Sequence, residues 1–197
     1  MDAANDFNKV GYVVLRNLVP ANEVKRLYAY TLSKLELGNK DDGQVPGSPS
    51  FYQDDEVIAL QKALLPALEK LIDKQLAAVF CYNRIYRKGA VLRMHKDSAR
   101  AEISATINLG FQGETGWDLW LVDYNENSQK ISLAPGDALL YHGSKLHHWR
   151  GKLEESDLVS QVMFHFVDAK GKNKFVPQME FFSKFRKRLR KMLGKAY

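Results

Sequence analysis

At 197 residues the chain suits one domain, whose single core can take roughly 70% of the unfolded surface out of water, and its 45% hydrophobic and 26% charged content excludes a disordered or fibrous protein. No apolar run approaches the roughly 20 residues needed to cross a bilayer, and MDAANDFNKVGYVV lacks the basic-then-apolar pattern of a secretion signal; with Cys81 as the one cysteine, no internal disulfide framework exists and a reducing, cytoplasmic setting is expected. The formal charge of +6 is uneven: ten Lys or Arg against one Glu from Lys170 to Tyr197 leave the remainder at −3, so tail basicity is no evidence that the body binds nucleic acid.

In chain order, VGYVVL at 10–15 reads as a short strand. Pro20-Ala21-Asn22-Glu23 opens a helix with Val24, Leu27, Tyr28, Thr31, Leu32 and Leu35 as its apolar face, and Gly38 ends it. Residues 38–50, GNKDDGQVPGSPS, form a turn-rich loop, either a mobile lid or a surface excursion. A second helical stretch covers about 55–78, and Pro66 inside it predicts two helices or a kinked one.

From residue 79 the pattern becomes short and beta-prone: Phe80–Arg87, Val91–Met94, Ile103–Leu109, Asp118–Asp123, Lys130–Leu133, Ala138–Tyr141, Leu146–Arg150 and Val159–Val167, with glycines and a Pro135-Gly136-Asp137 turn between them. Eight such strands after a helical section predict a mainly β fold, a double-stranded β-helix (jelly roll) with N-terminal helices packed on one sheet. A last, basic helix is expected at about 178–193, with Phe182, Phe185 and Leu189 on its apolar stripe. Nothing divides the chain, so 1–197 is read as a single domain with its core at about 80–168 and a basic tail at 170–197.

His95-Lys96-Asp97 is the sharpest local feature. In extended chain, residues i and i+2 face the same side about 6–7 Å apart, so an imidazole and a carboxylate can address one point. A third imidazole from a distant strand would complete a 2-His-1-carboxylate face, which binds Fe(II) and leaves three positions open. His147 and His148 lie some fifty residues on, after the PGD turn, and only one of two adjacent strand residues can face a barrel interior.

The stretches NRIYRKGAVLRMHKD, EISATINLG, LAPGDALLYHGSKLHHWRG and SQVMFHFVD resemble those of prolyl 4-hydroxylase-like 2-oxoglutarate/Fe(II) dioxygenases, particularly small bacterial and viral members, firmly over residues 80–168 and loosely over 45–80. Matching the HWR element implies His148 as the ligand beside His95 and Asp97, with His142 and His165 structural, or His142 supporting a ligand. The resemblance further implies Fe(II), 2-oxoglutarate as co-substrate, ascorbate as a stimulatory reductant, and hydroxylation of a C–H bond. Ala101-Glu102 stands where relatives have Cys-Glu, and Asp118-Leu119-Trp120 replaces a WP pair; both departures bear on packing or substrate.

The far carboxylate of 2-oxoglutarate calls for a charge-assisted partner. Where relatives carry a base nine to eleven residues after the second histidine, this chain has Asp157, Leu158 and Val159, so Arg150, two residues after His148, is the candidate, ahead of Lys88, Arg93 and Arg100. Tyr82 and Tyr86 share one strand face and could hydrogen-bond the co-substrate, and a buried Asn108 could support the site. The implied substrate is a protein or peptide residue, proline first, with a free amino acid or other small molecule as the alternative. A non-catalytic jelly roll using its basic tail on nucleic acid or a membrane is the contrasting reading.

Overall fold

The computed structural model describes residues 3–41 and 43–175. Helix α1 (Ala3–Val10), which periodicity over so short a stretch did not reveal, precedes β1 (Tyr12–Leu15). Helix α2 (Ala21–Ser33) buries Val24, Leu27 and Thr31 and is followed by a short 3₁₀ turn at Leu35–Leu37. Asn39 and Ser50 then exchange two backbone hydrogen bonds, closing the intervening segment into a loop that opens into β2 (Ser50–Tyr52).

Helix α3 (Asp55–Ile72) is one continuous helix with Pro66 inside it, so of the two forms expected, two helices or a kinked one, the first is corrected. Asp54 caps its start by accepting from Glu56 N, and Asp73, in left-handed conformation, ends it. Pro66 and Lys62, whose carbonyl loses its usual donor, both lie on the exposed face, where water replaces the missing bond and the helix runs through. The helix also stops earlier than its apolar pattern implies. Leu76 is claimed by β3 (Leu76–Arg87), where it pairs with Asp168, so long-range pairing prevails over local propensity.

The remaining strands are β4 (Leu92–His95), β5 (Ile103–Gly113), β6 (Leu119–Val122), β7 (Ser128–Ile131), β8 (Ala138–Tyr141), β9 (His148–Arg150) and β10 (Ser156–Asp168). They form two antiparallel sheets, one of six strands in the order β1-β8-β5-β10-β3-β2 and one of four in the order β4-β9-β6-β7. This is the jelly-roll architecture. The basic helix expected at 178–193 lies outside the described residues. No helix among the described residues is long and apolar enough to cross a membrane.

Alternation along the central strands separates two environments. On β5, Ile103, Ala105, Ile107 and Leu109 join the main apolar core, as do Val162, Phe164 and Phe166 of β10 and Val57, Leu60 and Leu68 of α3. Each of these side chains other than Ala105, fully buried, contributes roughly 1.5–3 kcal/mol. The alternate residues, Ser104 and Thr106 on β5 and Gln161, Met163 and His165 on β10, face the space between the sheets. One face of the large sheet therefore builds the main core and the other lines the space between the sheets. The PGD turn that leads into β8 is held by Asp137, whose carboxylate accepts from Asn17 N and Ala134 N and pairs with Arg16 at 2.6 Å.

Candidate metal centre

β4 and β9 are neighbours, and their pairing places His95 opposite His148. The histidine pair resolves by alternation: His148 is buried at 2% exposure, whereas His147 is exposed. Trp149 also leaves the interior, stacking on Trp120 with ring centres 6.0 Å apart.

One ligand atom from each of His95, Asp97 and His148 lies within 4.8 Å of the others. Asp97 Oδ1 is 3.7 Å from Nε2 of both histidines. Each imidazole has its Nδ1 on a backbone carbonyl, His95 on Arg93 O at 2.8 Å and His148 on Leu146 O at 3.1 Å. A carbonyl only accepts, so Nδ1 carries the proton and both Nε2 lone pairs face the carboxylate. Burial pushes His148 below its ordinary pKa, with Asp97 opposing, and this favours the neutral, ligand-competent ring. Two neutral nitrogens and one carboxylate oxygen on one face suit a divalent metal such as Fe(II).

Further contacts surround this face. Tyr141, which the sequence reading passed over, sets its ring edge against His148, with its hydroxyl 3.4 Å from Nε2; burial, then Asp97, raise its phenol well above the usual range. Gln44, from the 38–50 loop, lies 3.0 Å from His95 Nε2, and its amide oxygen accepts from Arg84 at 3.0 Å. Since His95 Nε2 holds the lone pair, the Gln44 amide is the donor. Val45 beside it is buried in a small apolar cluster with Tyr86, Leu92, Trp117, Leu153 and Val159, so this loop is docked on the barrel.

The cavity continues from the ligands to Tyr82, Tyr86, Thr106, Met163 and Arg150. Arg150 is 2% exposed and stacks over Trp117, donating to Trp117 O and, at 3.5 Å, to Gln161 Oε1. Among the described residues no carboxylate forms an ion pair with it, and burial lowers its pKa, a sign that the cation pays for its desolvation. Tyr82 stacks against His165 at 5.5 Å, and Tyr86 sets its ring against Trp117 at 4.7 Å.

Other candidates are placed elsewhere. Asn108 is buried, but its amide is spent on Leu133 O and its oxygen on Gly110 N, so it braces the end of β5 and does not reach the cavity. His142 bonds Tyr124 and packs against Phe7, away from the ligands. Lys88 pairs with Asp157, and Arg93 and Arg100 are exposed. His165, expected to be structural, lines the cavity.

No protein-family model matches the chain, and no curated protein matches it in sequence. Solved structures do share its fold. A prolyl-4-hydroxylase from Pseudomonas putida is 18% identical with a TM-score of 0.65, covering 84% of this chain and 98% of its own. A prolyl hydroxylase from Trichoplax adhaerens, solved with a hypoxia inducible factor oxygen degradation domain peptide fragment, is 14% identical with a TM-score of 0.69 over 86% of this chain and 89% of its own. HygX from Streptomyces hygroscopicus, solved with nickel, 2-oxoglutarate and hygromycin B, is 14% identical with a TM-score of 0.66 over 84% and 86%. The fold is that of the 2-oxoglutarate/Fe(II) oxygenases, prolyl hydroxylases among them.

Proposed function

We propose that the chain is an Fe(II)- and 2-oxoglutarate-dependent dioxygenase, with 1–197 a single oxygenase domain, that hydroxylates a C–H bond. His95, Asp97 and His148 would hold the iron, and Arg150 the far carboxylate of the co-substrate. The observation that carries this reading is Arg150: a buried guanidinium with no carboxylate partner among the described residues, two residues along β9 from His148 and on the same strand face. A bidentate anion supplies what that cation lacks, and a dicarboxylate can meet it while its other end reaches the metal face.

When bound, Fe(II) with 2-oxoglutarate and oxygen supplies the oxidation, releasing succinate and CO2 and hydroxylating the substrate. The chain's own residues prepare the place. Backbone carbonyls of Arg93 and Leu146 orient the two imidazoles, Trp117 and Gln161 hold Arg150 at the inner end, and Tyr82 and Tyr86 wall the cavity between. Ascorbate, as a reductant that keeps iron ferrous, belongs to the same reading.

For the substrate, a residue in a protein or peptide, proline first, follows from the likeness to prolyl hydroxylases, one of which was solved with a peptide. A small molecule is the second reading, favoured by HygX with its bound hygromycin B. The nucleic-acid or membrane role of the basic tail falls largely on residues outside those described. Incubating iron-loaded protein with 2-oxoglutarate, oxygen, and either proline-containing peptides or free amino acids tests the proposal. Succinate release coupled to gain of one oxygen atom by either class supports it and chooses the substrate; no iron-dependent consumption of 2-oxoglutarate overturns it.

A further inference from the structure

Asp97 sits in a cradle more elaborate than a metal ligand alone requires. Its backbone N–H donates to Gly143 O at 2.9 Å, and its Oδ2 accepts from the Ser104 hydroxyl at 2.6 Å. Ser104 Oγ is in turn 3.0 Å from His165 Nδ1. The donor order follows from chemistry. A carboxylate only accepts, so the Ser104 hydrogen goes to Asp97, and Ser104 Oγ can then only accept from His165 Nδ1–H. His165 Nε2 is buried with no hydrogen-bond partner among the described residues, so no other contact competes for the ring's proton. Phe80 and Tyr82 lie against the ring at 4.3 and 5.5 Å and fix its plane. Gly143 completes the cradle, because a β-carbon there would collide with both Asp97 Oδ2 and Ser104 Oγ.

The two oxygens of Asp97 thus have separate duties. Oδ1 faces both histidine nitrogens at 3.7 Å, whereas Oδ2 is turned toward Ser104. We propose that Ser104, oriented by His165, is a positioning residue that restricts Asp97 to one-oxygen ligation of the metal and so keeps a neighbouring position open for the co-substrate. The inference rests on the metal site proposed above. Freed from Ser104, Oδ2 would compete with a bidentate oxo acid for the same side of the ion.

The test uses the full-length protein, checked for native secondary structure and melting, with Fe(II) and 2-oxoglutarate as anaerobic probes. Metal isotherms, the visible charge-transfer band of the ferrous oxo-acid complex, and metal coordination by X-ray absorption are read for wild type, Ser104→Ala, His165→Leu and His165→Asn. S104A and H165L are expected to retain metal within about tenfold while their affinity for 2-oxoglutarate falls about tenfold or more, within the range for partners that support metal ligands. H165N, whose amide can donate to Ser104 in place of Nδ1–H, is expected to behave as wild type, which a merely space-filling role for His165 would not predict. Wild-type chelation by S104A and H165L overturns the inference, as does an H165N as impaired as H165L. A folded wild type that binds no metal instead overturns the underlying site.

Discussion

His95 and His148 stand opposite one another across β4 and β9, with ring centres 4.3 Å apart and Nε2 atoms both turned to Asp97 Oδ1. The two imidazoles are thereby aligned by backbone pairing, and a metal need not recruit either from a loop. Replacing His148 by Ala should lower Fe(II) or Co(II) affinity by roughly 100-fold or more, beyond the effect of losing an outer partner. His147→Ala, at an exposed position, should leave the isotherm unchanged. Titration of both variants checks the assignment; the opposite pattern would transfer the ligand role to His147.

Arg150→Ala should separate co-substrate from metal. The buried cation is removed along with its demand for an anion, so metal affinity should stay near wild type while 2-oxoglutarate affinity falls about 30-fold or more, the scale of truncating one partner of a buried charge pair. R150K should recover only part, since an ammonium cannot present the parallel donors of a guanidinium. Anaerobic titration of the metal-loaded variants reads both numbers.

Gln44 should oppose metal loading. Its amide and a metal ion claim the same lone pair on His95 Nε2, so the metal must displace a hydrogen bond. Gln44→Ala should therefore tighten metal binding by about three- to tenfold, the equivalent of one net hydrogen bond. Lys40→Ala, in the same segment but paired with Glu36, should have no such effect. Isothermal titration decides; equal affinities for Q44A and wild type would show that the contact costs the metal nothing.

His142 supplies a pH dependence independent of the metal. Burial, then Lys145 and Lys74, lower its pKa from 6.5 to about 4. Below pH 6.5 the unfolded chain takes up a proton that the folded chain refuses until about 4, so stability is full above 6.5 and declines as pH falls through that window. The loss is on the order of 3 kcal/mol. His142→Asn, which can still bond Tyr124, should flatten this part of the melting-temperature profile; an unchanged slope would place the proton uptake elsewhere.

Much of the site was legible because strand alternation does the same work in the sequence as in the fold. It put His95 with Asp97 and Tyr82 with Tyr86, and allowed only one of His147 and His148 to face inward. Depth was not legible. Asn108 has inward parity, yet its side chain is consumed at the bulged end of β5, its amide by the distant Leu133 carbonyl and its oxygen by Gly110 N–H. Gln44 and the Ser104–His165 pair depend on contacts between residues far apart in sequence, and Tyr141, seven residues before His148, meets it from the other sheet; no spacing rule announces them. Pro66 likewise reads as a break until α3 is seen to turn that residue to solvent.

The most direct measurement is the visible spectrum of the protein mixed anaerobically with Fe(II) and 2-oxoglutarate, followed by admission of oxygen. The proposed function predicts a weak charge-transfer band that requires both additions, decays with oxygen as succinate forms, and is absent from H148A. A folded, iron-supplied wild type with neither band nor succinate would contradict it.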